Sequence, residues 1–104
     1  MIIGENISNI HIKNCKFVNA THAIGINGWN GEDSGKNIII SNNLFENCEN
    51  GIRIEEINNL DINFNNFKNG SYGNSIQLNY CNNSKIVNNN STNNRGNGIL
   101  SSFV

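Results

Sequence analysis

The chain has 104 residues and a net charge of −1, with charged residues at 14% and hydrophobic residues at 37%. That length fits one domain spanning 1–104. The low charge, with no Lys/Arg run, argues against a nucleic-acid or anionic-membrane surface. No apolar run approaches the 18 or so residues of a membrane span. Few charges and abundant aliphatics also argue against disorder.

The composition is dominated by Asn (27 residues) and Ile (17), with no Pro. A polar chain with regularly placed Ile calls for a test of internal repeats. In chain order, the segment NIHIKNCKFVNATHAIGI from Asn9 superposes on NIIISNNLFENCENGIRI from Asn37 with every aliphatic position coincident. NLDINFNNFKNGSYGNSIQL from Asn59 fits with two extra residues, and NSKIVNNNSTNNRGNGILS from Asn83 fits with one extra and weaker apolar positions. Ile2 lies 22 residues before Ile24, so the first four residues read as the closing strand of an earlier coil.

Each copy contains two apolar pairs that alternate with period two, the mark of strands with one buried face. The first pair is Ile10/Ile12, Ile38/Ile40, Leu60/Ile62 and Ser84/Ile86; the second is Ile24/Ile26, Ile52/Ile54, Ile76/Leu78 and Ile99/Ser101. Between them runs an aromatic column, Phe17, Phe45 and Phe67, ending in Ser91. Three further columns are Asn-rich: Asn9, Asn37, Asn59, Asn83; Cys15, Asn43, Asn65, Asn89; and Asn19, Asn47, Asn69, Asn93. Asn suits corners because it tolerates left-handed backbone angles and bonds nearby backbone. A unit this short cannot bury its own apolar face, and stacking solves the problem with a rise of about 4.8 Å per coil. Stacked Asn amides then form ladders.

The expected fold is therefore all-β, a right-handed parallel β-helix solenoid of about four coils, 22–28 residues per coil, with three short strands in each. The right hand follows from the crossover rule for parallel strands. Ile10, Ile12, Phe17, Ile38, Ile40, Phe45, Ile52, Ile54, Ile62, Phe67 and Ile76 are expected to be buried. A leucine-rich repeat has an overlapping period, but this chain has only four Leu. Neither end reads as a polar cap, so the expectation is a segment of a longer solenoid, or ends covered by additional coils or by a partner in a homo-oligomer.

The units NIIISNNLFENCENGIRI and NLDINFNNFKN resemble the repeats of the pectate-lyase-like superfamily of right-handed β-helices, which includes polysaccharide lyases, polygalacturonases, alginate epimerases, tailspike depolymerases and NosD-like proteins. The resemblance implies a polysaccharide or glycan partner and an extracellular or surface location. The opening MIIGENISNI, without a basic region or a long apolar stretch, does not read as a signal peptide. The shared residues are scaffold positions, so the resemblance speaks for fold more than for reaction. Gly51-Ile52-Arg53-Ile54 resembles a polygalacturonase strand, but Glu55 follows it and no paired-Asp or G-H-G element is present. No complete catalytic signature stands in the chain. A non-catalytic structural or adhesive solenoid is the alternative.

Chemistry concentrates beside the second Ile pair. Outward positions there hold Arg53, Glu55, Gln77 and, one step further, Glu56 and Tyr80. The longer first coil adds a loop containing Trp29, Glu32 and Asp33, expected to project near Arg53. An aromatic ring, amides, carboxylates and one cation suit a saccharide: Trp29, Arg53, Glu55, Glu56, Gln77 and Tyr80 form the ligand-binding set. Glu55, Glu56 and Arg53 are the catalytic candidates. Glu32 and Asp33 are the one place for Ca²⁺, although no D-x-D-x-D-G pattern is present. No C-x-x-C occurs, so zinc is not expected, and Cys15, Cys48 and Cys81 fall in different columns and read as small buried thiols without disulfides. His22 falls in an Asn column and reads as a turn residue, and His11 reads as solvated surface.

Overall fold

The computed structural model describes residues 2–5, 8–28 and 36–102, with side chains for 8–28 and 36–99. It is a parallel β-solenoid of about three turns built from strands alone. After β1 (Ile2–Glu5), the chain repeats three strands at a time. The first repeat is β2 (Ile10–Lys13), β3 (Lys16–Val18) and β4 (His22–Asn27); the second is β5 (Lys36–Ser41), β6 (Leu44–Glu46) and β7 (Asn50–Glu55). The third is β8 (Asn58–Asn63), β9 (Asn66–Lys68) and β10 (Ile76–Asn79); the last is β11 (Asn82–Val87), β12 (Asn90–Thr92) and β13 (Ile99–Ser102).

Strands stack on their counterparts in three sheets, ordered β1-β4-β7-β10-β13, β2-β5-β8-β11 and β3-β6-β9-β12. The register matches the sequence columns: Ile10↔Ile38↔Leu60↔Ser84, Phe17↔Phe45↔Phe67↔Ser91 and Ile24↔Ile52↔Ile76↔Ile99. In-register parallel stacking turns sequence period into vertical alignment, and so every inward column is continuous.

Ten of the eleven residues expected in the core are buried; Ile10 is half-buried and packs against the cluster from its edge. Phe17 stacks on Phe45 at 5.0 Å between ring centroids, and Phe45 on Phe67 at 4.5 Å, with planes within 9°. The core thins in the last repeat, where Ile99 is 54% exposed and Ser91 replaces the aromatic ring. There the Ser91 hydroxyl meets that of Ser75 at 2.9 Å and accepts a bond from the Asn94 amide at 2.6 Å. Polar pairing thus stands where the other coils have ring stacking.

Amides bond from coil to coil in all three Asn columns, with Asn37 Nδ2 donating to Asn9 Oδ1 at 3.0 Å, Asn59 Nδ2 to Asn37 Oδ1 at 3.3 Å and Asn47 Nδ2 to Asn19 Oδ1 at 2.6 Å, but the columns differ in backbone and burial. Asn9, Asn37, Asn59 and Asn83, and likewise Asn19, Asn47, Asn69 and Asn93, adopt positive φ between 51° and 63°. These are corners where the left-handed backbone is needed, and Asn supplies it at low cost. Asn43 and Asn65 are instead buried and point inward. Asn65 Oδ1 accepts from the backbone N–H and the side-chain amide of Asn43, both at 3.0 Å. Asn65 Nδ2 in turn donates to Ile40 O at 2.9 Å and to Asn89 Oδ1 at 3.0 Å. The same pattern links Cys15 N–H to Asn43 Oδ1, so a continuous ladder runs through all four repeats.

A further left-handed column, Asn14, Asn42, Phe64 and Asn88, precedes the ladder and was not among the sequence columns. Phe64 is the exception in it, 59% exposed with φ of 54°. The three thiols are free, but Cys15 is exposed, contrary to the expectation of three buried ones. Cys15 begins the ladder, where only its N–H is used, and its side chain turns back to Lys13 O at 3.2 Å.

Candidate functional site

The site rests on the sheet that contains β4, β7 and β10. Ile24/Ile26, Ile52/Ile54 and Ile76/Leu78 point inward and are buried, which by strand alternation sends the intervening residues outward. Two outward columns result: Gly25↔Arg53↔Gln77 and Asn27↔Glu55↔Asn79. Arg53 Nη2 donates to Glu55 Oε1 at 2.8 Å, with the Arg53 side chain half exposed and that of Glu55 27% exposed. Asn79 Nδ2 reaches the same oxygen at 3.4 Å from the next coil. Gln77 is held from the other end, its Oε1 accepting from Asn74 Nδ2 at 3.3 Å.

Gly25 gives this face its relief. A Cβ placed there would meet nothing within 4 Å, so bare backbone and open space lie beside Arg53. Gly25 thus leaves the outward position next to Arg53 in its column without a side chain.

Glu56 and Tyr80 form the adjoining corner, in register with Gly28. Both carry positive φ, 57° and 55°, and Tyr80 is 55% exposed. A left-handed backbone at such residues costs about 1–2 kcal/mol each. Gly28 is required here for a different reason: a Cβ would fall 1.9 Å from Glu56 O. The corner is consequently tight, with Gly28 N–H bonded to Glu55 O at 2.8 Å and Glu56 N–H to Asn79 O at 2.9 Å.

Of the six residues expected to bind ligand, Arg53, Glu55 and Gln77 therefore share one sheet face, and Glu56 and Tyr80 stand at its edge. Trp29 lies outside the described residues, as do Glu32 and Asp33, the calcium candidates. Sequence reading assigned no role to Asn74, Asn79 or the space at Gly25. Their column positions were legible, but hydrogen-bonding partners are not carried by spacing.

The two histidines have specific partners. His11 is exposed, as expected of a surface residue, and its Nε2 lies 2.7 Å from the hydroxyl of Ser41 on the adjacent strand of the same sheet. His22 Nδ1 lies 3.2 Å from Asn50 Nδ2 within the column predicted for it.

Chemically, the face offers fixed donors and acceptors in a flat array. The Glu55 oxygen is engaged by a guanidinium and an amide. The chain matches no protein-family model, no curated protein and no solved structure.

Proposed function

We propose that the chain is a polysaccharide-binding β-solenoid whose ligand lies on the outer face of β4, β7 and β10. The observation that carries this reading is the paired Arg53–Glu55 unit, flanked by Gln77 and Asn79 and open toward Gly25. Vicinal hydroxyls of a sugar both donate and accept, and this face presents both functions at fixed spacing. Tyr80 at the edge supplies an exposed ring for a sugar face. The coil rise of about 4.8 Å is close to the length of one pyranose unit, so a polymer running along the axis meets equivalent positions in successive coils. Glycan recognition, a right-handed sense of winding and kinship with pectate-lyase-like β-helices belong together in this proposal, and strand-crossover chirality supports the hand.

Binding of the full chain to neutral and acidic polysaccharides, by glycan array and calorimetry, tests the reading against Arg53→Ala and Tyr80→Ala. The expected result is retained folding with affinity reduced about tenfold or more, equivalent to about 1.4 kcal/mol. Product release from the bound polymer is to be assayed in parallel, and its dependence on Glu55→Gln would assign a reaction to the same face. A folded parent that binds no glycan leaves a structural solenoid as the better account, a reading favoured by the continuous Asn ladder and ring stack.

A further inference from the structure

A second site stands at a different corner, where the sheet of β3, β6 and β9 turns into that of β4, β7 and β10. In the third repeat the connection from Asn69 to Ile76 is two residues longer than its counterpart from Asn47 to Ile52. The extra residues stand as a wall beside the shorter turns of the preceding coils and flank a shallow, wide-open groove of about 210 Å³. Asn19 and Thr21 come from the first repeat, Asn47 and Glu49 from the second, and Ser71 from the wall.

The wall is pinned in place. Ser71 N–H donates to Cys48 O at 3.3 Å, Gly70 N–H to Asn94 Oδ1 at 2.6 Å and Asn74 N–H to Asn50 Oδ1 at 3.1 Å. A Cβ on Gly73 would fall 1.9 Å from Asn50 Oδ1 and 2.4 Å from Glu49 O, so the wall packs directly on the coil beneath. The groove is therefore preformed, which lowers the entropy lost on binding.

Its lining is almost wholly polar and its orientation is fixed. Asn47 Nδ2 donates to Asn19 Oδ1 at 2.6 Å, which directs the Asn19 amide nitrogen and the Asn47 carbonyl to other partners. One donor and one acceptor stand side by side with a carboxylate and two hydroxyls. Hydroxyl groups satisfy both kinds at once, and a carboxylate accepts from two adjacent ones. The volume is below that of pockets for drug-sized ligands and fits a single ring. Tyr72, next to Ser71, is 75% exposed at the rim, with the Arg95 guanidinium 5.8 Å from its ring centroid.

We propose that this groove binds one pyranose unit, held by Glu49, Ser71, Thr21 and the Asn19–Asn47 amide pair. The inference rests on the groove's own chemistry and not on the sheet-face reading. Titration of the ¹⁵N-labelled full chain with glucose, galactose, mannose and their 2-amino derivatives tests it. Saturable amide shifts are expected at Thr21, Asn47, Glu49 and Ser71, weakened about tenfold by Glu49→Gln and again by Ser71→Ala, and unaffected by Arg53→Ala. Melting curves establish that both variants stay folded, as expected for an exposed and a half-buried side chain. Shifts absent at these four amides throughout the panel, or confined to Arg53, Gln77 and Asn79, overturn the proposal. Hexose shifts in the groove alongside failed polysaccharide binding would refute the sheet-face reading alone.

Discussion

Asn65 is the residue on which the ladder reasoning can be tested most sharply. Its side chain makes four hydrogen bonds, two accepted from Asn43 and one donated to Ile40, all buried, and one donated to Asn89 that is partly buried. Asn65→Leu keeps the branching and the number of side-chain heavy atoms, at a somewhat larger volume, and removes all four. Asn43 Nδ2 retains Ile12 O, and Asn89 Oδ1 retains the Asn65 backbone N–H, so both stay partly satisfied. The Asn43 backbone N–H loses its acceptor inside the core, which costs about 1–3 kcal/mol, and the other lost bonds add about 1 kcal/mol each before the gain from burying Leu. The expected loss is about 3–4 kcal/mol by urea denaturation. Asn65→Asp gives the sign of the effect. A carboxylate there faces Ile40 O and Asn89 Oδ1, both acceptors, so the folded state favours the neutral acid, which alone donates to Ile40 O. Its pKa is expected to rise above the ordinary Asp value of about 3.9. Stability relative to the parent is then greatest below that value and is lost as pH rises. A Leu variant within about 0.5 kcal/mol of the parent, or an Asp variant that gains relative stability with pH, would refute the ladder's energetic role.

Three other outcomes follow from the same structure. Phe45→Ala removes the middle ring of the stack, which is 2% exposed, and should cost about 3–5 kcal/mol in the same denaturation assay. Phe64→Asn places the favoured residue at a left-handed corner and should raise stability by about 1 kcal/mol, read as a higher melting midpoint. With a disulfide-exchange reagent on the native chain, Cys15 should react and the buried Cys48 and Cys81 should not. Burial raises the Cys81 thiol above its ordinary value of 9.0, so its contribution to stability is intact below that pH and declines as pH rises through the raised value.

The columns of Ile and Phe were legible because a parallel stack in register makes repeat alignment and spatial neighbourhood the same thing. Ile52↔Ile76 and Phe45↔Phe67 need no information beyond spacing. The two roles of Asn were not separable, since one side chain suits both a left-handed corner and an amide ladder. Asn42 and Asn43 are adjacent and do one each. The corner at Phe64 was hidden because its residue type argues against that backbone. Of the candidate site, the sharing of one face by Arg53, Glu55 and Gln77 follows from period two, whereas the Arg53–Glu55 pairing, the Asn79 contact and the space at Gly25 depend on side-chain geometry.

The outward columns bear on how such a scaffold acquires chemistry. Stacking puts each outward residue directly beside its counterparts, about 4.8 Å above and below, so like charges in one column repel. The described columns avoid this: Glu46 neighbours Lys68, Asp61 neighbours Lys85, and Glu55 lies between Asn27 and Asn79. A lone charge flanked by amides keeps its hydrogen-bonding capacity without a destabilising neighbour. The Asn-rich surface can therefore be read as a neutral background on which single charged or aromatic residues are tolerated at any coil. Arg53 with Glu55, and Glu49 in the corner groove, are such insertions. Both lie in the second repeat, and among the described residues Arg53 and Glu55 have no like charge beside them in their columns. The interior has no comparable freedom, because each inward substitution disturbs a column that three or four coils share. Recognition on this fold is thus expected to be set residue by residue on the outside, while the ladder and ring stack hold the coils in register.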